Sequence, residues 1–230
     1  MKQMITSLFI LLSMGTVCGQ SSADMQATIS MIKKNLTQSN INLKNYSWLE
    51  TTIVFVDGEQ KSSSMNQCYY SVDGKLTKVP AGNATAAKAP GGLRGKMAAS
   101  KKEDMEEYIQ KCVALVKSYL PPNSETLQKI YGSGKCVISV LSPNVNYKLG
   151  FPGYKMPGDI LSISVDKPKG LLTGIAVNSY IDKPEDAVVF NLTYNTLPDQ
   201  TQFASETTLV AQAKKVKIVI QNSGYKKTAG

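Results

Sequence analysis

Histidine is absent from the 230 residues. With it go the Ser–His and Cys–His nucleophile pairs and every histidine-ligated metal site. Arginine is nearly absent: of 26 basic residues, all but Arg94 are lysines. A guanidinium grips phosphates and base edges through a planar fork, whereas an ammonium is a solvated point charge. The formal charge of +9 therefore predicts a diffuse positive surface suited to anionic lipid or envelope polymers, and no nucleic acid is expected as a partner. The GxSxG, GxGxxG and Walker-type loops are missing, as is any CxxC pair. Ser-x-x-Lys occurs at Ser30/Lys33, Ser164/Lys167 and Ser223/Lys226, without the motifs that accompany it in enzymes that use it. The one dense acidic run, Glu103, Asp104, Glu106 and Glu107, falls in the first turns of a predicted helix, where the helix dipole favours it. Most other acids, such as Asp57, Asp73, Asp182, Glu185, Asp186 and Asp199, sit in turns, where carboxylates satisfy backbone amides. No catalytic residue, metal or cofactor is expected.

What is present begins with an export signal. Lys2 precedes an apolar stretch from Met4 to Val17, too short to span a bilayer, and Val17-Cys18-Gly19 supplies small residues for cleavage before Gln20. Residues 1–19 thus read as a signal peptide, and the protein as periplasmic or secreted. Cleavage before Cys18 would instead leave a lipid-anchored chain; Val17 is a poor neighbour for a lipidated cysteine, which favours the freely diffusing form. Of the remaining cysteines, Cys68, Cys112 and Cys136, one pair is permitted a disulfide in an oxidising compartment, and spacing does not choose it.

Residues 20–230 read as a single β-rich domain. Met25, Ile29, Ile32 and Leu36 recur at helical spacing and predict an amphipathic helix over 21–37. Strands follow at Tyr46 to Val56, Lys61 to Val72 and Lys75 to Val79, separated by the turns Asp57-Gly58 and Asp73-Gly74. Residues 80–100, rich in Pro, Ala, Gly and Lys, predict a flexible basic loop, in which Lys88, Arg94 and Lys96 are candidates for contact with an anionic membrane surface. Ser100 and Glu103 have capping-box spacing for a helix whose stripe is Met105, Ile109, Cys112, Val113, Val116 and Leu120, ended by Pro121-Pro122; a short helix is expected over 123–131. From Cys136 on, strands are predicted at 135–142, 146–151, 158–166, 171–182, 186–196, 202–212 and 215–222, joined by short turns that favour antiparallel neighbours.

The order of elements resembles that of the LolA-like periplasmic lipoprotein carriers. The residues carrying the resemblance are the 25–36 stripe, Tyr46-Ser47-Trp48, the Asp73-Gly74-Lys75 turn and the 105–120 stripe. It implies an α+β half-barrel, a large curved antiparallel β-sheet wrapped on an N-terminal helix and a mid-chain helical lid. The family's strand arginine has no counterpart, since Arg94 lies in the loop. The implied function is an exported monomer binding lipid or lipoprotein in a cavity between sheet and helices, with Trp48, Ile53, Phe55, Met105, Ile109, Val113, Val116 and Leu120 as candidate cavity residues. The alternatives are an envelope structural or interaction protein with a filled core and no ligand, an enzyme working through paired carboxylates brought together in a cleft and, in fold, a two-sheet β-sandwich.

Overall fold

The computed structural model describes the backbone of residues 22–82 and 93–228, and side chains from 27 to 82 and from 103 to 228. The signal-peptide expectation for residues 1–19, Cys18 included, lies outside the described residues, as do Lys88 and the side chains of Arg94 and Lys96. No helix among the described residues is long and apolar enough to cross a membrane.

Helix α1 (Ser22–Asn42) leads through a single 3-10 turn into β1 (Tyr46–Val56), β2 (Glu59–Tyr70) and β3 (Leu76–Pro80). Helices α2 (Leu93–Tyr119) and α3 (Ser124–Gly132) follow. The rest of the chain is a meander: β4 (Val137–Ser142), β5 (Asn146–Pro152), β6 (Ile160–Asp166), β7 (Leu171–Tyr180), β8 (Ala187–Thr196), β9 (Gln202–Ala211) and β10 (Val216–Lys227). All ten strands form one antiparallel sheet in the order β3-β2-β1-β10-β9-β8-β7-β6-β5-β4. There is one curved open sheet with three helices, so the fold is an α+β half-barrel and the two-sheet sandwich is excluded.

Short turns make every neighbour pair except one local. The exception is β1 against β10, which zips the two ends of the chain from Tyr46↔Lys227 to Val56↔Val216. The register breaks between Ser47 and Leu49, where β10 carries Gly224 at φ 63. That left-handed residue costs glycine little, and next to it Tyr225 stacks on Trp48 at 5.5 Å.

The core lies where α2 and α3 cover β5 to β10. Leu161, Val177, Val188 and Val216 are fully buried there, each contributing roughly 1.5–3 kcal/mol of apolar transfer. A bulge in β7 shifts which residues face the core: Ser164↔Gly174 is followed by Val165↔Leu172, so that Leu172 and then Ile175 and Val177 all turn inward.

Three boundaries differ most from the sequence reading, and one is β10, which continues through Ser223-Gly224 to Lys227 instead of ending at 222. Helix α2 starts at Leu93, so residues 93–100 are helical and Ser100 is an interior residue instead of an N-cap. Ala98, Ala99, Lys101 and Lys102 are good helix formers, and they extend the helix through a stretch whose glycines suggest a loop. Helix α1 runs to Asn42, beyond its last core residue, because its final turns are held by polar contacts. The three cysteines are free thiols: Cys68 and Cys112 are buried, and Cys136 is half-buried. Burial pushes each thiol's pKa up, so none is a ready nucleophile.

Candidate functional site

Helix α3 is pinned at the loop after β5 and helix α1 at the β6–β7 turn and the start of β9, and these anchors set the site. Helix α3 begins at Asn123, whose side chain accepts from the Thr126 amide at 2.9 Å. The Asn123 amide donates to the Tyr154 hydroxyl at 2.6 Å, which ties this cap to the β5–β6 loop. Ile130 then buries itself in the core.

Helix α1 is anchored by its polar residues. Asn35 Nδ2 donates to the Gly170 carbonyl at 2.8 Å, and Ser39 Oγ accepts from the Gln202 amide at 2.9 Å. Asn42 Nδ2 donates to Thr201 Oγ1 at 3.0 Å. These side chains also edge a polar hollow of about 300 Å³, but their amide donors are already used in holding the helix. The apolar stripe of α1 supplies Ile32 and Leu36 to the core.

Between α1, α3 and the sheet a cavity of about 230 Å³ remains. Ile29 and Ile32 wall it from α1, and Leu127 from α3. Its floor is Leu149 and Phe151 of β5 with Ile163 and Val165 of β6. Polar atoms in the wall come from Thr28, Gln128 and Tyr131. A 150 Å³ cavity of similar lining stays dry and takes a small apolar guest, so this larger one has room for part of an alkyl chain. None of its described lining side chains is charged, and the walls are dominated by aliphatic and aromatic groups suited to an apolar guest.

None of the eight candidates from the sequence lines this cavity. Val116 is buried in the core, and Met105, Ile109, Val113 and Leu120 pack against it. Trp48 is a structural aromatic: its ring stacks on Tyr225, lies 6.0 Å from Tyr70, and its Nε1 donates to Asn222 Oδ1 at 3.1 Å. Ile53 and Phe55 lie on the other face of β1. Val56 pairs with buried Val216 and packs on the core, and strand alternation turns Phe55 and Ile53 away from it. The Lys217 ammonium sits 5.9 Å above the Phe55 ring on that outer side. Alternation alone separates Trp48 from Ile53 and Phe55, so a signal against grouping these three was present in the strand pattern.

The sequence reading also missed Asp159. It looks like one more turn acid after Pro157-Gly158, yet it is fully buried. Its Oδ2 accepts from the Tyr119 hydroxyl at 2.5 Å and from the amides of Lys155 and Met156 at 2.9 and 3.0 Å. The Tyr119 hydroxyl also meets Ser179 Oγ at 2.9 Å. Burial, and then the Asp159 carboxylate, push the Tyr119 phenol far up and keep it protonated. This network closes the β5–β6 loop beneath the end of α2. No group of three acidic, cysteine or histidine side chains that could hold a metal ion occurs among the described residues.

No family model and no curated protein matches the chain. Among solved structures, a DUF1329 family protein from Desulfovibrio piger is similar at 7% identity over 89% of this chain and 93% of that one. The TM-score is 0.35, a likeness too slight to carry an argument about fold or function.

Proposed function

We propose that the protein is an exported envelope protein that binds an apolar ligand, a lipid acyl chain or the acyl part of a lipoprotein, as a carrier or sensor. The observation that carries this reading is the 230 Å³ cavity with its Ile, Leu, Phe and Val walls, held open by two helices whose anchors are polar and lie outside it. An apolar hollow of that size, partly open to solvent, leaves its walls exposed to water unless something fills it. Each methylene moved from water into it contributes roughly 0.8 kcal/mol. Export by the signal at residues 1–19 belongs to the same proposal and places the protein where such ligands lie. One observation favours the filled-core alternative: the described side chains of the α2 stripe are buried in the core or packed against it. Native purification followed by mass spectrometry of extracted lipids separates the two. Co-purifying lipid in stoichiometric amount is the expected result; a lipid-free protein would contradict the proposal.

A further inference from the structure

The two edges of the sheet are guarded very differently. Edge strand β3 is five residues long, ends in Pro80 and carries Lys78, whose ammonium reaches Glu50 at 2.6 Å. These are devices that stop an edge from pairing. Edge strand β4, Val-Ile-Ser-Val-Leu-Ser, has no charge and no proline. Val137, Ile138, Val140 and Leu141 are 59, 45, 58 and 56% exposed. The patch continues past the strand: Val137 and Ile160 lie 3.8 and 3.9 Å from where a Cβ on Gly150 would sit, and Ile160 is itself exposed.

Along the stretch of chain that forms this edge the charge has one sign. Between Glu125 and Asp159 the sequence contains Lys129, Lys135, Lys148 and Lys155 and no acid. Lys135 lies just before the strand, and Lys148 pairs in register with Ser139. The nearest acid on the flanking strands, Asp166, is buried and ion-paired with Lys169. Asp159, at the far end of this stretch, is fully buried. The register also joins the edge to the cavity. Ile138 pairs with Leu149, which pairs with Ile163; Val140 pairs with Tyr147, which pairs with Val165. Leu149, Ile163 and Val165 all line the cavity.

We propose that the β4 edge docks the protein on an anionic lipid bilayer, with Val137, Ile138, Val140 and Leu141 at the headgroup–acyl boundary and Lys135 and Lys148 facing the phosphates. An apolar rim exposed on both faces of a strand and bordered by cations matches the two components of such a surface, apolar depth and negative charge. A second copy pairing β4 with β4 would satisfy the strand but bring both sets of lysines together, so charge favours the bilayer. Docking there would place the cavity wall at Ile163 two strands, about 10 Å, from the acyl region. The biological sense of this rests on the apolar-ligand reading, while the docking itself does not.

The test is co-sedimentation of the purified protein with vesicles of phosphatidylglycerol and phosphatidylcholine, against phosphatidylcholine alone, at low and high salt. Binding to the anionic vesicles, weakened several-fold by salt, is expected. Val140→Glu/Leu141→Glu is expected to weaken it by about tenfold or more. Lys135→Glu/Lys148→Glu is expected to reduce it to the level on neutral vesicles. All four side chains are wholly or partly exposed, and circular dichroism checks that the variants fold. The proposal is overturned if the protein ignores anionic vesicles, or if both variants bind like the parent. It is also overturned if sedimentation equilibrium shows a dimer that Val140→Glu/Leu141→Glu dissociates, which would make β4 a self-pairing edge. Fatty-acid binding measured without vesicles runs in parallel: its loss with docking intact overturns the cavity reading alone.

Discussion

At the scale of single residues, the clearest handle is the contact between Tyr46 and Asp199, which ties the start of β1 to the β8–β9 turn at 2.6 Å. The hydrogen bond from Tyr46 holds the Asp199 carboxyl down at about 2, and burial followed by that carboxylate pushes the Tyr46 phenol up to about 12. Ordinary values are near 4 and 10. A depressed carboxyl stabilises the fold above about pH 4 and loses that contribution as pH falls towards 2. A raised phenol stabilises it below about pH 10 and loses that contribution as pH rises towards 12. Denaturation of the parent and Tyr46→Phe across pH should therefore differ by about 1 kcal/mol between pH 5 and 9, with the gap closing at both extremes. A gap that stays constant from pH 3 to 11 would show that the loss is one of packing.

Asp159 gives a second residue-scale prediction. Asp159→Asn keeps the shape but removes the charge that three donors address, and should cost about 3 kcal/mol by urea denaturation. Nothing in the sequence marked this acid, because its burial depends on Tyr119, forty residues earlier in the chain. The acids of the turns are legible locally; a carboxylate whose donors come from a distant helix is not.

At the scale of elements, α1 seats itself on the β6–β7 turn. A Cβ added to Gly170, at φ 60, would fall 2.4 Å from Met31 Cγ, and the Gly170 carbonyl accepts from Asn35. Gly170→Ala should destabilise the protein by about 2 kcal/mol, combining a left-handed backbone with displacement of Met31. Gly58→Ala provides the control, since its φ is 82 and nothing lies within 4 Å, so it should cost about 1 kcal/mol from the backbone alone.

The elements themselves were largely legible. Strand β1 has the bounds its β-branched and aromatic run implies, and the later strands fall within a few residues of their turn signals. The α1 stripe does meet the core through Ile32 and Leu36. What periodicity could not give was the partner of each stripe. The α2 stripe is a genuine apolar face that packs on the core, while the apolar cavity of about 230 Å³ lies beside α1 and α3. An apolar face looks the same in sequence whether it covers side chains or empty space, because the difference lies in volumes contributed by β5 and β6.

At the scale of the molecule, one long-range pairing organises the sheet: β10 returns to β1, with α1 ahead of the first strand and α2 and α3 on the path from β3 to β4. The open edges at β3 and β4 follow from that topology, as does the hollow where α1 and α3 meet the sheet without filling it. The central claim is that this hollow is a binding site. It is tested most directly by titrating a fluorescent fatty acid, cis-parinaric acid, into the parent and into the cavity-filling variants Ile32→Trp and Ile163→Trp. The account predicts saturable binding of one fatty acid per chain in the parent, and its loss in both variants with thermal stability kept within a few degrees. Absence of saturable binding in the parent, or undiminished binding in both filled variants, would contradict it.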